Sequence, residues 1–281
     1  MKLGQLDFRS SFERPQLSAA RRRMLREHGG QWRFQRLVSR MESASLDDLA
    51  DVALLNRLET KYVLREDNLL SALAVLSSCY RVLDIAGNRL HRYVSLYFDT
   101  PSFLLYYRHH AGGKHRYKIR AREYTDTNLS FLEVKHKISQ IRTIKNRIQT
   151  PEFLTQLLPE FEDFIHGNFP LPADELEPKL LNAYQRITLV GKYSPERLTI
   201  DLDPWFFADT AGETLPGIVI AEVKYPHANR SSAFMWRMRE MGIRPMGFSK
   251  YCIGVSLLYA QVKNNRFRPT LRAVRRLAQG S

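Results

Sequence analysis

Lys118, Arg120 and Arg122 recur at every second position of the stretch His115–Glu123, with Tyr117, Ile119 and Ala121 at the intervening positions flanked by Lys118, Arg120 and Arg122. Strand side chains alternate between faces, so this spacing lines three cations in one row. Other stretches repeat the pattern with acids mixed in. Glu133, Lys135 and Lys137 oppose Leu132 and Val134, and Glu59 shares a face with Lys61. Arg197, Thr199, Asp201 and Asp203 oppose Leu198, Ile200 and Leu202. Glu222 and Lys224 oppose Ala221 and Val223, and Arg186 and Thr188 oppose Ile187 and Leu189. A half-exposed antiparallel strand alternates apolar and polar residues by default, and for any single strand here that explanation suffices. Across the set, however, the polar faces are rich in Lys and Arg and carry isolated carboxylates. Gathered around a lumen, they would repel one another at reduced dielectric unless the lumen held a polyanion and a divalent cation. Guanidinium and ammonium groups match phosphate oxygens, and carboxylates suit a hard cation such as Mg²⁺ or Mn²⁺. The chemistry that fits is phosphoryl transfer, in which a protein mainly positions groups and stabilises charge. The sequence has no Walker-type loop, kinase catalytic loop or Cys/His metal cluster.

Eight stretches have period two: Leu58–Leu64, Arg92–Asp99, His115–Glu123, Phe131–Lys137, Ile144–Thr150, Ala183–Val190, Arg197–Asp203 and Val219–Tyr225. Their number and length predict an antiparallel sheet closed into a barrel. Helical spacing predicts helices at Ser18–Glu27, Ala44–Leu55 with Ser45 as N-cap, Asp67–Ser78, Thr150–Phe164, Ser231–Met241 and Lys250–Val262.

The 281 residues include 43 Lys and Arg against 29 Asp and Glu, a net charge of +14. Residues 1–40 contribute +7 and residues 261–281 contribute +6, so the middle is nearly neutral. That balance argues against a broad nucleic-acid-binding face, and no specific nucleic-acid partner is expected. The basic ends read as solvated tails, or as contacts to an anionic membrane surface or a membrane-protein partner. Two cysteines and no signal-like or membrane-spanning apolar run predict a reducing, cytoplasmic setting, peripheral to a membrane if the tails bind one.

The motifs also occur in a telling order. They are Glu59-Thr-Lys-Tyr-Val-Leu64, Ser95-Leu-Tyr-Phe-Asp-Thr100, Arg116-Tyr-Lys-Ile-Arg-Ala-Arg122, Phe131-Leu-Glu-Val-Lys135, Pro178-Lys-Leu-Leu-Asn-Ala-Tyr-Gln-Arg186, Glu196-Arg-Leu-Thr-Ile-Asp201, Ala221-Glu-Val-Lys-Tyr225 and Phe248-Ser-Lys-Tyr-Cys252. The series resembles the polyphosphate polymerase domain of the VTC family, within the triphosphate tunnel metalloenzymes and related to CYTH proteins. The resemblance implies an α+β fold: a closed eight-stranded antiparallel β-tunnel with helices packed on the outside. Residues 46–262 would form that domain, between a basic appendage (1–45) and a basic tail (263–281). It implies ATP and polyphosphate as substrates and Mn²⁺ or Mg²⁺ as cofactor. Lys61, Arg120, Arg122, Lys135, Arg186 and Lys250 would be catalytic. Lys118, Arg197 and Ser249 would bind phosphate, with Lys145 and Arg147 as further contacts, and Glu222 would hold the metal. Glu59, Glu133, Asp201 and Asp203 either bind metal or neutralise cations, and Lys224 pairs with a carboxylate. Tyr62, Tyr97 and Phe98 are aromatic candidates for the adenine, set against a core role. His109, His110 and His115 read as solvated hairpin histidines. A triphosphatase on the same tunnel and a non-catalytic polyphosphate-binding module are the alternatives.

Overall fold

The structure is a computed structural model that describes residue 19 and residues 32–51, 57–139, 142–209, 211–226 and 232–279. The first half holds α1 (Trp32–Val38), β1 (Ser43–Ala44), α2 (Leu46–Asp51), β2 (Arg57–Arg65), α3 (Glu66–Leu76), β3 (Tyr80–Leu83), β4 (His91–Asp99), α4 (Leu104–Ala111), β5 (Arg116–Tyr124), β6 (Leu129–Lys137) and β7 (Thr143–Thr150). The second half holds α5 (Glu162–His166), β8 (Glu177–Gly191), β9 (Arg197–Ala208), β10 (Ala211–Thr214), β11 (Ile218–Pro226), α6 (Ala233–Glu240), α7 (Lys250–Leu258) and α8 (Arg268–Gln279). No helix of the described residues is long and apolar enough to cross a membrane. The helix expected at Ser18–Glu27 lies outside the described residues, apart from residue 19.

All eight period-two stretches are strands. They pair in the order β2-β11-β9-β8-β4-β5-β6-β7, every neighbour antiparallel. The hydrogen-bonded path ends at β2 and β7, and the sheet curls until its two ends face each other. Lys135 on β6 lies 4.0 Å from Glu59 on β2. Lys61 on β2 and Lys118 on β5 both reach the start of α7. The result is an eight-stranded antiparallel tunnel.

The apolar strand faces point outward and are covered. Ile187, Leu198, Ile200, Ala221 and Val223 pack with Phe34, Leu69, Leu73 and Phe234 of α1, α3 and α6. On the other side Leu96, Ile119, Leu132 and Val134 pack with Leu154, Phe161 and Ile165. The appendage thus begins to join the core at Phe34, and the tail does so through α8, whose Leu271 and Val274 are buried. Ser45 caps α2 as expected: its hydroxyl accepts from Asp48 N at 3.2 Å, while Asp48 accepts from Ser45 N at 2.7 Å.

Helix α7 is placed differently. Val63, Tyr97, Leu180, Phe206 and Ile220 share faces with the charged residues, and α7 lays Tyr251, Cys252, Ile253 and Val255 against them. It plugs one end of the lumen. A Cβ at Gly254 would sit 2.5 Å from Leu180 Cδ2 and 2.7 Å from Phe206 Cδ1, so only glycine allows this approach. The helix ends at Leu258, four residues short of the expected Val262.

Three local expectations change. The helix expected over Thr150–Phe164 reduces to a 3₁₀ turn (Pro159–Phe161) and α5, because prolines at 151 and 159 disfavour helix before and within the stretch. Helix α4 was hidden because its cap is not the preceding residue. Asp99 accepts from Leu105 N and Tyr106 N, both at 2.8 Å, and Thr100 Oγ1 accepts from Leu104 N at 3.0 Å. Asp203 does not continue the row of Asp201. A bulge between Ala183 and Gln185 in the β8–β9 register leaves Asp203 at φ +47°, and the alternation breaks there.

Candidate active site

The charged faces of β2, β4, β5, β6, β8, β9 and β11 line the lumen, and the expected acids and bases meet there in fixed pairs. Arg120 donates from Nε and Nη2 to Glu133 (2.7 and 2.6 Å) and from Nη1 to Tyr97 Oη (3.1 Å). Arg122 donates to Ser95 Oγ (3.2 Å) and Tyr184 Oη (3.0 Å) and lies 4.0 Å from Glu133. Lys145 on β7 also reaches Glu133, at 2.5 Å. Arg186 holds Asp201 with a two-pronged contact (2.6 and 2.9 Å), and Lys250 pairs with the same carboxylate. Glu222 is shared between Lys61 (3.0 Å) and Lys224 (2.6 Å). Arg197 lies opposite Lys224 in the β9–β11 register.

Ser249 caps α7 by accepting from Cys252 N at 3.2 Å and also accepts from Lys118 Nζ at 2.9 Å. Both acceptor positions of its hydroxyl are filled, so the proton it carries is what it offers to a ligand. Lys61 Nζ donates to Phe248 O at 3.4 Å, so β2 and β5, far apart in the strand order, meet at this helix start. Arg147 sits opposite Glu133 in the β6–β7 register. It lies over the Phe131 ring at 4.8 Å on the exposed strand β7.

The lumen also has aromatic walls that charge patterning did not reveal. Tyr93 stacks on Tyr184 at 5.2 Å, and Arg186 lies over both rings at 5.0 and 5.1 Å. Parity along β4 was the available signal, since Tyr93, Ser95 and Tyr97 alternate with Val94, Leu96 and Phe98. Of the adenine candidates, Tyr62 and Phe98 face outward into the cores, and Tyr97 stacks on Tyr251 at 5.1 Å. None presents a free ring. His109 and His110 lie on α4 rather than in a hairpin, and His109 Nε2 is 3.1 Å from Tyr117 O.

Electrostatics follow from the pairing. Burial works against the charge of Glu133, yet Arg120, Arg122 and Lys145 hold it well below the usual carboxylate range. Asp201 is likewise opposed by burial but brought to about 2 by Arg186 and Lys250. Burial pushes Lys118 down to about 8, with Lys135 and Lys61 adding to it. Burial alone would raise Tyr97, but Arg120, Lys118, Arg122 and Lys250 bring it to about 8. Burial also lowers Lys224 to about 8, so above that pH the lumen loses positive charge at Lys118 and Lys224 and gains negative charge at Tyr97. Tripolyphosphate should therefore bind several-fold more weakly at about pH 9 than at about pH 7, measured by calorimetry at fixed salt. Folding responds oppositely. All three groups have lower pKa values folded than unfolded, so between about pH 8 and pH 10 the unfolded chain binds more protons and stability rises with pH. Tighter binding at the higher pH would contradict this account.

A divalent cation fits the lumen if phosphate brings most of its ligands. No group of three or more His, Cys, Asp or Glu gathers among the described residues. Burial opposes the charge of Glu222, but Lys224 and Lys61 keep it well below the usual carboxylate range. Across the register from it, Thr199 Oγ1 is buried without a hydrogen-bond partner. These hard oxygens suit Mg²⁺ or Mn²⁺, ions that commonly keep water and phosphate oxygens in their coordination.

Several solved structures are similar in outline. A candidate adenylate cyclase from Bacillus halodurans is 11% identical, with a TM-score of 0.46 over 73% of this chain and 100% of that one. A Hippeastrum protein assigned as an adenylyl cyclase, with a dominant triphosphatase activity, is 16% identical, with a TM-score of 0.45 over 74% and 100%. A Pyrococcus horikoshii protein is 12% identical, with a TM-score of 0.41 over 71% and 98%. No curated protein matches the chain in sequence. The VTC domain family model, however, matches residues 56–259, the stretch from β2 through α7 that builds the lumen, and by that match the chain belongs to the VTC domain family.

Proposed function

We propose that this protein is a metal-dependent polyphosphate polymerase that transfers the γ-phosphate of ATP to a growing polyphosphate chain in the tunnel. The observation that carries the reading is the convergence of Lys61, Lys118, Arg120, Arg122, Lys135, Arg186 and Lys250 on one lumen with Glu222 among them. Attack on the γ-phosphorus brings two anions together, and these cations screen their repulsion and stabilise the leaving diphosphate. Mg²⁺ or Mn²⁺ at Glu222 would further neutralise charge on the phosphoryl oxygens.

A second feature favours phosphate over water as nucleophile. Water needs a general base whose pKa lies near working pH. The lumen carboxylates Glu59, Glu133, Asp201 and Glu222 are instead shifted downward by neighbouring cations, which makes them weak bases, and the lumen groups brought to about 7 or 8, Lys145, Lys118 and Tyr97, are engaged with Glu133, Ser249 and Arg120. An ionised terminal phosphate needs no base.

Incubation of pure protein with ATP and Mn²⁺, followed by gel staining for polyphosphate, tests the reading. Chain growth is expected. Release of orthophosphate alone would make the protein a triphosphatase, and neither product would make it a binding module. Glu222→Gln should slow the reaction by roughly tenfold or more at limiting Mn²⁺, with a fall in Tm smaller than that of a fully buried acid because Glu222 and its partners Lys61 and Lys224 keep some exposure. Identical rates across a metal titration would remove Glu222 from the metal site.

A further inference from the structure

The two longest stretches of the chain without an acidic residue are 100–122 and 241–281. They hold six and eight Lys and Arg, 14 together, which leaves 29 basic and 29 acidic residues in the rest of the chain. These two stretches thus carry a charge equal to the whole net +14, the +7 of residues 1–40 being offset by acids elsewhere in the chain. The fold places them side by side. Tyr106 Oη donates to Lys263 O at 3.0 Å, and His110 Nε2 lies 2.7 Å from Asn265 Oδ1. The Phe267 ring packs 5.7 Å from that of Tyr106. Arg266 crosses so close to Gly112 that a Cβ there would lie 2.3 Å from its Nη1.

Four of the 14 cations, Lys118, Arg120, Arg122 and Lys250, belong to the lumen contacts already described. Arg108, Lys114, Lys263, Arg266 and Arg268 are exposed on the outside, and no ion pair among the described residues includes them. Arg116 links the two groups. It lies two residues before Lys118 on the same strand face, and its buried Nε has no hydrogen-bond partner. Burial, Arg116 and Lys135 together lower the pKa of Lys137, so the positive field extends along this end of β5 and β6.

We propose that the outer face formed by α4 and the start of α8 is a second binding site for a phosphate chain, an exterior track continuous with the lumen. The inference rests on the phosphate-chain reading of the tunnel given above. Among the large exposed apolar side chains, the two stretches contribute only Tyr107, and α8 turns Leu271 and Val274 into the core. A helix that lies on a bilayer shows its large apolar residues to the lipid. This face has charge without an apolar anchor, which suits a polyanion in water.

The test compares binding of tripolyphosphate, which the lumen can hold, with long-chain polyphosphate. The variant is Arg108→Gln, Lys114→Gln, Arg266→Gln and Arg268→Gln combined. A control with equal charge loss carries Arg36→Gln, Arg40→Gln, Arg237→Gln and Arg239→Gln. In the variant, Kd for the long chain should rise roughly tenfold or more at low salt, with the difference shrinking as salt screens the field. Tripolyphosphate affinity should stay within about twofold, and the control should resemble the native protein. If the fourfold variant melts early, Arg108→Gln with Lys114→Gln alone should show a smaller shift of the same kind. Equal loss for both ligands, equal loss in the control, or no loss overturns the track. So does loss of phosphatidylserine-vesicle binding with long-chain affinity retained, which would assign the face to a membrane. Because the readout is binding, absent chain growth from ATP would defeat the polymerase reading while leaving this result to stand or fall separately.

Discussion

Arg120→Lys is expected to lower turnover of ATP by roughly 10²-fold with the charge retained. Arg120 uses three of its five N–H groups inside the protein, two on Glu133 and one on Tyr97, and keeps two for a ligand. Lysine has three N–H groups on a single nitrogen and cannot face Glu133, Tyr97 and a phosphate from one position. A surface change such as Arg275→Ala removes a whole charge but should leave turnover within about twofold, because that field is screened by water and salt. Steady-state kinetics of the two variants, with melting curves to confirm folding, decide the matter. Near-native turnover in Arg120→Lys would mean that only the summed charge of the lumen matters.

Glu133→Gln should have the largest effect on stability. Glu133 is 1% exposed, and it is the acid shared by Arg120, Lys145 and, at longer range, Arg122. Removing the charge of one partner in a buried pair typically costs about 3–5 kcal/mol, because the remaining charges stay buried and uncompensated. The expected result is a fall in Tm of roughly 10 °C. The sign with pH is set by the lowered folded pKa. The native contribution of Glu133 is present above its unfolded pKa and disappears only as pH falls through a value well below the usual carboxylate range. Tripolyphosphate should restore more stability to the variant than to the native protein, since an anion in the lumen replaces the missing charge. Equal ligand-induced shifts in Tm would show that the phosphate does not reach the Glu133 cluster.

These two residues also show how far one-dimensional reading extends. Lys118, Arg120 and Arg122 were legible because strand alternation is a local geometric rule, and all three occupy one face of β5. The same rule located Glu133, Lys135, Arg186 and Glu222. It failed at Asp203, where a bulge resets the alternation. It also could not find α4, because the caps come from Asp99 and Thr100 rather than from the residue before the helix. Spacing also placed Lys145 and Arg147 on one face of β7, opposite Lys135 and Glu133, although that strand is exposed for most of its length.

The residue order by itself determined the strands, the face each charge occupies and the family whose motifs it follows, since these depend on period-two geometry and side-chain chemistry along the chain. Only the tertiary structure decided which acid neutralises which base, that α7 enters the lumen through the space at Gly254, and that two acid-free stretches far apart in sequence form one basic face. The reason is that Coulomb energy depends on distance and burial. Both are set by how the sheet curls, and no local pattern records that curl.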